Sequence, residues 1–188
     1  PMTTTPTAET AAATAPPPLD PAVEQAARTR LQRCRIRLLA GMPFFGSLAM
    51  RLSFRLSFKN PRMTTACVHP RGLVVVDLDF MERLSDAELI GLVCHELLHV
   101  AFACWVRQGP RNAMLITLDG RTISAWNVAH DYAINPTIAE LQPSYPWIAL
   151  PPGGLLELRY KGWSAEDIYD DIVKNATVIN AAGWSEDL

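Results

Sequence analysis

The sequence contains two histidines and a glutamate in the spacing H-E-x-x-H, at His95, Glu96 and His99. Residues four apart on an α-helix project from one face, one turn apart, so the two imidazoles can bind the same metal ion. Zn²⁺ binds imidazole nitrogens at about 2.0–2.1 Å and lowers the pKa of a bound water towards about 7. Glu96 lies beside the pair and can accept a proton from that water. The spacing therefore predicts a zinc hydrolase site with Glu96 as its catalytic residue.

The residues around this motif predict a buried helix. Apolar side chains lie nearly all round the helix between Leu89 and Val106. Two histidines and a glutamate are costly in such an interior unless hydrogen bonds or a metal satisfy them. We therefore favour zinc ligands over histidines that are satisfied within the core.

A catalytic zinc usually takes three protein ligands, so one more is needed. Cys104 follows the second histidine by five residues, and on a continuous helix that step turns it away from the ligand face. His69 precedes the helix, in a predicted turn, and no further pattern supports it. The segment with the best candidates is 126–135, "WNVAHDYAIN".

Two neighbouring residues of that segment, His130 and Asp131, lie about 100° apart on a helix and cannot both point well at one metal. Asp131 shares its face with Asn127 and Asn135, a polar stripe typical of a ligand with hydrogen-bonding neighbours. The pattern favours Asp131 as the third ligand, with both asparagines as its supports. His130 is the alternative ligand or a contact to the substrate. An Asp131 that is simply solvated is the remaining possibility.

Length and composition predict one folded domain. The chain has 188 residues, of which 49% are hydrophobic, enough for a core. Residues 1–19 are rich in Thr, Ala and Pro and cannot bury enough apolar surface to fold. We expect a flexible tail over 1–19, one domain over 20–178 and a short C-terminal tail over 179–188.

Capping signals place the helices of this domain. Ser85 and Glu88 have the form of a capping box and predict a helix from 86 to about 107. Three more helices are expected, over 21–40 after Asp20, over 124–135 before Pro136, and from Ser164 onward.

The alternation of apolar and polar residues predicts the strands of a sheet. Apolar and polar residues alternate over 50–59, as in an antiparallel strand with one face in water. Two shorter strands are expected at 64–69 and 72–78, the second of them central. Four prolines over 142–154 predict an irregular loop. The expected fold class is α+β.

Charge and cysteine usage exclude some classes of function. The net charge is −2, which favours neither nucleic acid nor a membrane surface as a partner. The four cysteines show no C-x-x-C spacing, and no apolar run approaches the roughly 18 residues of a membrane span. We expect a cytoplasmic protein.

Four segments resemble, in order and spacing, a bacterial metallopeptidase domain: "TTACVHPRGLVVVD", "LVCHELLHVAF", "WNVAHDYAIN" and "YKGWSAEDIYDDI". The resemblance covers roughly residues 25–175. That domain is often found ahead of a von Willebrand A-type domain, in genes near MoxR-type ATPases, which implies a partner of either kind. Its second motif, W-N-x-A-x-D-x-x-x-N, implies Asp131 as the third ligand and maps onto Trp126, Asn127, Ala129, Asp131 and Asn135.

The resemblance also implies a zincin-like fold, with a small, mostly antiparallel sheet of three to four strands packed on a central H-E-x-x-H helix among further helices. Two positions depart from the family. Members often carry a further histidine near the place held here by Cys104, and a small residue is common where this chain has His130. The second departure could mean an altered site.

The expected function is that of a zinc-dependent metallopeptidase-like hydrolase of bacterial or phage type, acting on a peptide or protein. The strand before the H-E-x-x-H helix would offer its edge to the extended substrate. One alternative is a catalytically silent binding or regulatory module, against which Glu96 argues, because a structural zinc site needs no buried acid. The other is a zinc amidohydrolase that acts on a non-peptide amide.

Overall fold

The computed structural model describes residues 19–60, 63–117, 120–175 and 178–179. Within these ranges the fold is mixed α/β. The helices are α1 (Pro21–Gly41), α2 (Pro43–Ala49), α3 (Leu78–Arg83), α4 (Asp86–Ala101), α5 (Cys104–Gln108), α6 (Ala125–Leu141) and α7 (Ala165–Asn175), with a 3₁₀ turn at Leu158–Tyr160. The strands are β1 (Ser53–Ser57), β2 (Ala66–Val68), β3 (Leu73–Asp77), β4 (Met114–Thr117), β5 (Thr122–Ser124) and β6 (Val178–Ile179).

The two predicted tails, 1–19 and 179–188, lie outside the described residues except for Leu19 and Ile179. The helix predicted over 21–40 is confirmed as α1. Asp20 caps it by accepting a hydrogen bond of 2.8 Å from the backbone N–H of Ala22. None of the described helices combines the length and the apolar character that crossing a lipid bilayer requires.

The first sheet has the strand order β1-β3-β2, so the predicted central position of β3 is confirmed. The predicted alternation holds over 51–55, because Leu52 is buried and Phe54 packs on the core, while Arg51 and Arg55 are exposed. It fails at the two ends of 50–59, because Met50 is exposed and Ser57 is half-buried like its neighbours. The antiparallel expectation for this strand is wrong: β1 runs parallel to β3, and only β2 is antiparallel to it. Alternation reports which face is buried and carries no information on the direction of the neighbouring strand.

The central position of β3 has a consequence for substrate binding. β3 is the strand that precedes the H-E-x-x-H helix, and both of its edges are paired within the sheet. The prediction that this strand offers an open edge to a peptide is therefore wrong.

The second sheet, with the order β5-β4-β6, was not predicted. β4 and β5 form an antiparallel hairpin, and β6 lies parallel to β4. Its strands are two to four residues long, too short for a recognisable alternation. With one parallel and one antiparallel pairing in each sheet, the expectation of a mostly antiparallel fold is wrong.

α4 carries the H-E-x-x-H motif and lies at the centre of the fold, where it packs against α1, α2, α6 and β2. Its N-terminus has the predicted capping box, because Ser85 Oγ accepts from the N–H of Glu88 and the Glu88 carboxylate accepts from the N–H of Ser85. The predicted single helix over 86–107 is wrong. Ala103 has a φ of 50°, a left-handed conformation that ends α4 and starts α5 in a new direction.

α6 also differs from its prediction, because it runs past Pro136 to Leu141. A proline inside a helix has no N–H to donate to the preceding turn, which is why a stop was expected. Ile134 and Ile138, two residues before and two residues after Pro136, are fully buried. Their packing in the core keeps the helix continuous despite the missing hydrogen bond.

The proline-rich segment 142–154 is irregular, as predicted, and it crosses the N-terminal half of α4. The N–H of Ala149 donates to the carbonyl of Ala87 at 3.0 Å. A Cβ placed on Gly91 would lie 1.8 Å from the carbonyl oxygen of Ala149. Only glycine therefore allows this approach, one helical turn before His95.

Candidate metal centre

Three of the predicted ligands meet between α4 and α6. His95 Nε2 lies 2.9 Å from His99 Nε2, and Asp131 Oδ1 lies 3.4 Å and 3.2 Å from these two atoms. A tetrahedral zinc with bonds of about 2.0–2.1 Å separates its ligand atoms by about 3.3 Å. The three atoms, named here the ligand triangle (His95, His99 and Asp131), therefore have the size that a zinc ion fits.

The two helices place the triangle. His95 and His99 project from one face of α4, which packs against α6. Asp131 lies in the second turn of α6, and Ser124 caps that helix by accepting from the N–H of Asn127. A one-residue slip in either helix would turn its ligand by about 100°.

Asn135 fixes the orientation of His95. The Asn135 Nδ2 group donates to the carbonyl of Leu155 at 2.7 Å, which leaves Oδ1 facing His95 Nδ1 at 2.8 Å. Because an amide oxygen only accepts, His95 carries its proton on Nδ1. Its Nε2 lone pair then points into the ligand triangle, the arrangement that neighbours of metal-binding histidines impose in metalloproteins.

Burial and charge give these groups the protonation states that a metal needs. Burial lowers the pKa of His95 to about 4, so the imidazole is neutral at neutral pH. For Asp131, burial raises the pKa, but the nearby His95 and His99 outweigh it, and the pKa is lowered overall. A neutral imidazole and an ionised carboxylate are the forms that bind Zn²⁺.

Glu96 is buried on α4 next to His95, about 100° round the helix from it. It is not among the residues whose ligand atoms lie within 4.8 Å of one another. Glu96 is therefore not a member of the ligand triangle among the described residues. The catalytic role of Glu96 stays a prediction.

A second group of potential ligands shares His99 with the triangle. Ligand atoms of His99, Cys104 and His130 all lie within 4.8 Å of one another. We call these three residues the cysteine set. The ring of His130 stacks on that of His99 with centroids 5.4 Å apart, and Trp126 meets His130 edge-on. Burial lowers the pKa of His130 to about 3, so its ring is neutral.

The structure places the other predicted residues as follows. Asn127 is half-buried, and no described contact joins its side chain to the ligand triangle. His69 lies in the turn between β2 and β3, where its Nδ1 accepts from the N–H of Arg71. Cys104, which was discounted on the assumption of a continuous helix, lies next to the triangle because the chain turns at Ala103. No sequence signal marks that turn.

The whole centre is covered. His95, Glu96 and His99 are each 2% exposed, His130 1% and Asp131 7%. A cavity of about 350 Å³ opens nearby between α5, α6 and α7, lined by Phe102, Arg107, Pro136 and Trp163 among others, but by none of the candidate ligands.

A family model described as a putative metallopeptidase domain matches residues 26–187, most of the chain. No curated protein and no solved structure matches the sequence. The zincin-like assignment of the fold therefore stays a prediction.

Proposed function

The chain belongs to the putative metallopeptidase domain family, and we propose that it is a zinc-dependent peptidase whose metal is held by His95, His99 and Asp131. The observation that carries the proposal is the ligand triangle, in which two imidazole nitrogens and one carboxylate oxygen lie 2.9–3.4 Å apart. A triangle of this size is hard to explain as ordinary core packing, because it brings three polar groups together in a buried place.

Bound zinc would supply Lewis acidity to a substrate carbonyl and lower the pKa of a water. The protein's own groups supply the rest. The Glu96 carboxylate accepts a proton from the attacking water and later donates it to the leaving amine. Asn135 keeps His95 in the tautomer that points Nε2 at the metal, and Asp131 contributes the negative charge that balances the cation.

A Glu96→Gln variant tests the assignment of the base. We expect its zinc content, measured by elemental analysis, to equal that of the unmodified chain. Cleavage of an unfolded protein substrate should fall by about 10²–10⁴-fold, the usual contribution of a general base. Glu82→Gln is the matched control, because Glu82 is exposed on α3, and both readings should be unchanged in it. A zinc-loaded chain that cleaves no unfolded protein contradicts the proposal.

Burial of the centre favours a second candidate, a binding or regulatory module in which the metal only holds α4 and α6 together. An extended peptide cannot reach groups that are at most 7% exposed unless the surrounding chain moves. This candidate predicts stoichiometric zinc with no cleavage in either the unmodified or the Glu96→Gln chain. Cleavage of small amides alone would indicate an amidohydrolase of non-peptide substrates.

We place the activity in a reducing compartment such as the cytoplasm. The four cysteines are buried and free of disulfides, which supports this placement. A von Willebrand A-type or MoxR-type ATPase partner stays a prediction from the family resemblance.

A further inference from the structure

The break between α4 and α5 brings a thiol to the metal centre. On an unbroken helix, Cys104 would point about 140° away from His99, because five residues rotate the chain by 500°. Ala103 instead adopts a left-handed conformation, and the direction of the chain changes after Ala101. The ligand atom of Cys104 then lies within 4.8 Å of those of His99 and His130.

The position of Cys104 is held from two sides. Its carbonyl accepts a hydrogen bond of 2.9 Å from Trp126 Nε1, on the helix that also carries His130. Three residues further along α5, Arg107 Nε donates to Glu166 Oε1 of α7 at 2.9 Å. These contacts fix α5 against α6 and α7, so the proximity of the thiol to the two imidazoles is built into the packing.

His130 lacks the hydrogen bonds that a buried histidine normally has. It is 1% exposed, and neither of its ring nitrogens has a hydrogen-bond partner among the described residues. A buried polar group without a partner costs about 1–3 kcal/mol. Both the His99 ring and the Cys104 thiol lie beside it, so a metal ion bound among the three would satisfy it.

We infer that the cysteine set (His99, Cys104 and His130) is a second metal site, selective for a soft ion such as Cu⁺. One thiolate and two imidazoles suit Cu⁺, whereas the carboxylate of Asp131 makes the ligand triangle the harder of the two sets. On binding, the thiol of Cys104 loses its proton to solvent. Both sets draw on the ring of His99, so we expect Cu⁺ in the cysteine set to compete with Zn²⁺ in the triangle. The inference does not require the protein to be a peptidase.

Titration with Cu⁺ under reducing, anaerobic conditions tests the inference. We expect one Cu⁺ per chain, displacement of previously bound Zn²⁺, and a sulfur neighbour of copper in X-ray absorption spectra. Cys104→Ala should remove the sulfur signal and weaken Cu⁺ binding by more than about tenfold, since loss even of an indirect partner costs 10–100-fold. The matched control is Cys34→Ala. Cys34 and Cys104 are both 3% exposed, and Cys34 lies on α1, outside the set. In this control, both the sulfur signal and the affinity for Cu⁺ should be unchanged.

Two outcomes would overturn the site: a sulfur signal that persists without Cys104, or equal Cu⁺ affinities of the two variants. If Cys104→Ala does not fold by circular dichroism, Cys104→Ser keeps the volume and removes the soft ligand, with the same expected loss. Asp131→Ala separates this inference from the proposed function, because it should weaken Zn²⁺ binding and leave Cu⁺ binding intact. Absence of Zn²⁺ binding together with a Cu⁺–sulfur signal would refute the peptidase proposal alone.

Discussion

His95 Nδ1 lies 2.8 Å from Asn135 Oδ1, and this contact joins the two helices that carry the candidate ligands. Asn135 is itself held by the Leu155 carbonyl, so the amide cannot flip without losing a buried hydrogen bond. The orientation of a metal-binding imidazole is thus decided by a residue 40 positions away in the sequence. Two variants of the same helix test this relationship.

Asn135→Ala is expected to weaken zinc binding by about 10–100-fold, because His95 loses the acceptor that fixes its tautomer. Asn127→Ala is the matched control, since Asn127 lies on the same helix and has no described side-chain contact with the triangle. Zinc affinity measured by competition with a chelator should separate the two. Equal affinities would show that Asn135 is a packing residue only.

The metal-free protein should become less stable as the pH falls below neutral. Folding lowers the pKa of His95 to about 4 and that of His130 to about 3, both from 6.5. Between pH 6.5 and 4 the unfolded chain binds protons that the folded chain does not, so stability is full above pH 6.5 and declines below it. Urea midpoints measured without metal at pH 7.5, 6 and 5 should fall in that order.

A His130→Phe chain should show a shallower fall in the urea midpoint over the same pH range, because one of the two histidines is gone. A midpoint that stays constant from pH 7.5 to 5 in the unmodified chain would contradict the burial of neutral histidines.

The left-handed residue at the helix break is tested by comparing the same alanine-to-glycine change at two positions. Ala103→Gly relieves a conformation that costs an alanine about 1–2 kcal/mol, which offsets the extra flexibility of glycine in the unfolded chain. We expect unchanged stability or a gain of up to about 1 kcal/mol. Ala26→Gly, in the exposed interior of α1, should cost about 1 kcal/mol. If urea denaturation shows that both variants lose the same free energy of unfolding, the break is not left-handed in solution.

Gly91→Ala should displace the segment 142–154 from α4. The new Cβ would meet the Ala149 carbonyl at 1.8 Å, and relieving such overpacking usually costs about 1–3 kcal/mol. Limited proteolysis should then cut within 142–154. Gly120→Ala is the control, because its positive φ makes alanine strained there but nothing lies within 4 Å of the new Cβ. It should not expose that segment, and equal cutting in both variants would argue against the close contact.

Local signals were enough to predict the elements that carry the centre. The capping box at Ser85 and the cap at Asp20 depend on residues three or fewer apart, and both helix starts are confirmed. The spacing of His95, His99 and Asp131 on two helices also follows from helical periodicity. Because histidine and aspartate are zinc ligands, the three residues were expected to lie close together, and in the structure they do.

What could not be predicted depends on long-range packing or on single backbone angles. Ala103 takes a left-handed conformation, although such positions are usually held by glycine or asparagine. The sequence therefore predicted, wrongly, that the side chain of Cys104 points away from the metal ligands. Pro136 stays inside α6 because buried isoleucines on either side outweigh one missing hydrogen bond. β1 pairs with the edge of β3 that β2 leaves and runs parallel to it, and alternation encodes neither the edge nor the direction.

The segment between α6 and α7 is attached to both ligand-bearing helices, through Ala149 on α4 and through Leu155 on Asn135 of α6. An ion in the ligand triangle can leave only after the surrounding chain opens, and these two contacts oppose separation of the helices. The affinity of the centre for a metal and the rate at which it exchanges that metal are therefore set by different properties of the protein. A metal bound with ordinary affinity should still have a long residence time. The opening of the protein, rather than the breaking of metal–ligand bonds, should limit the rate of its release.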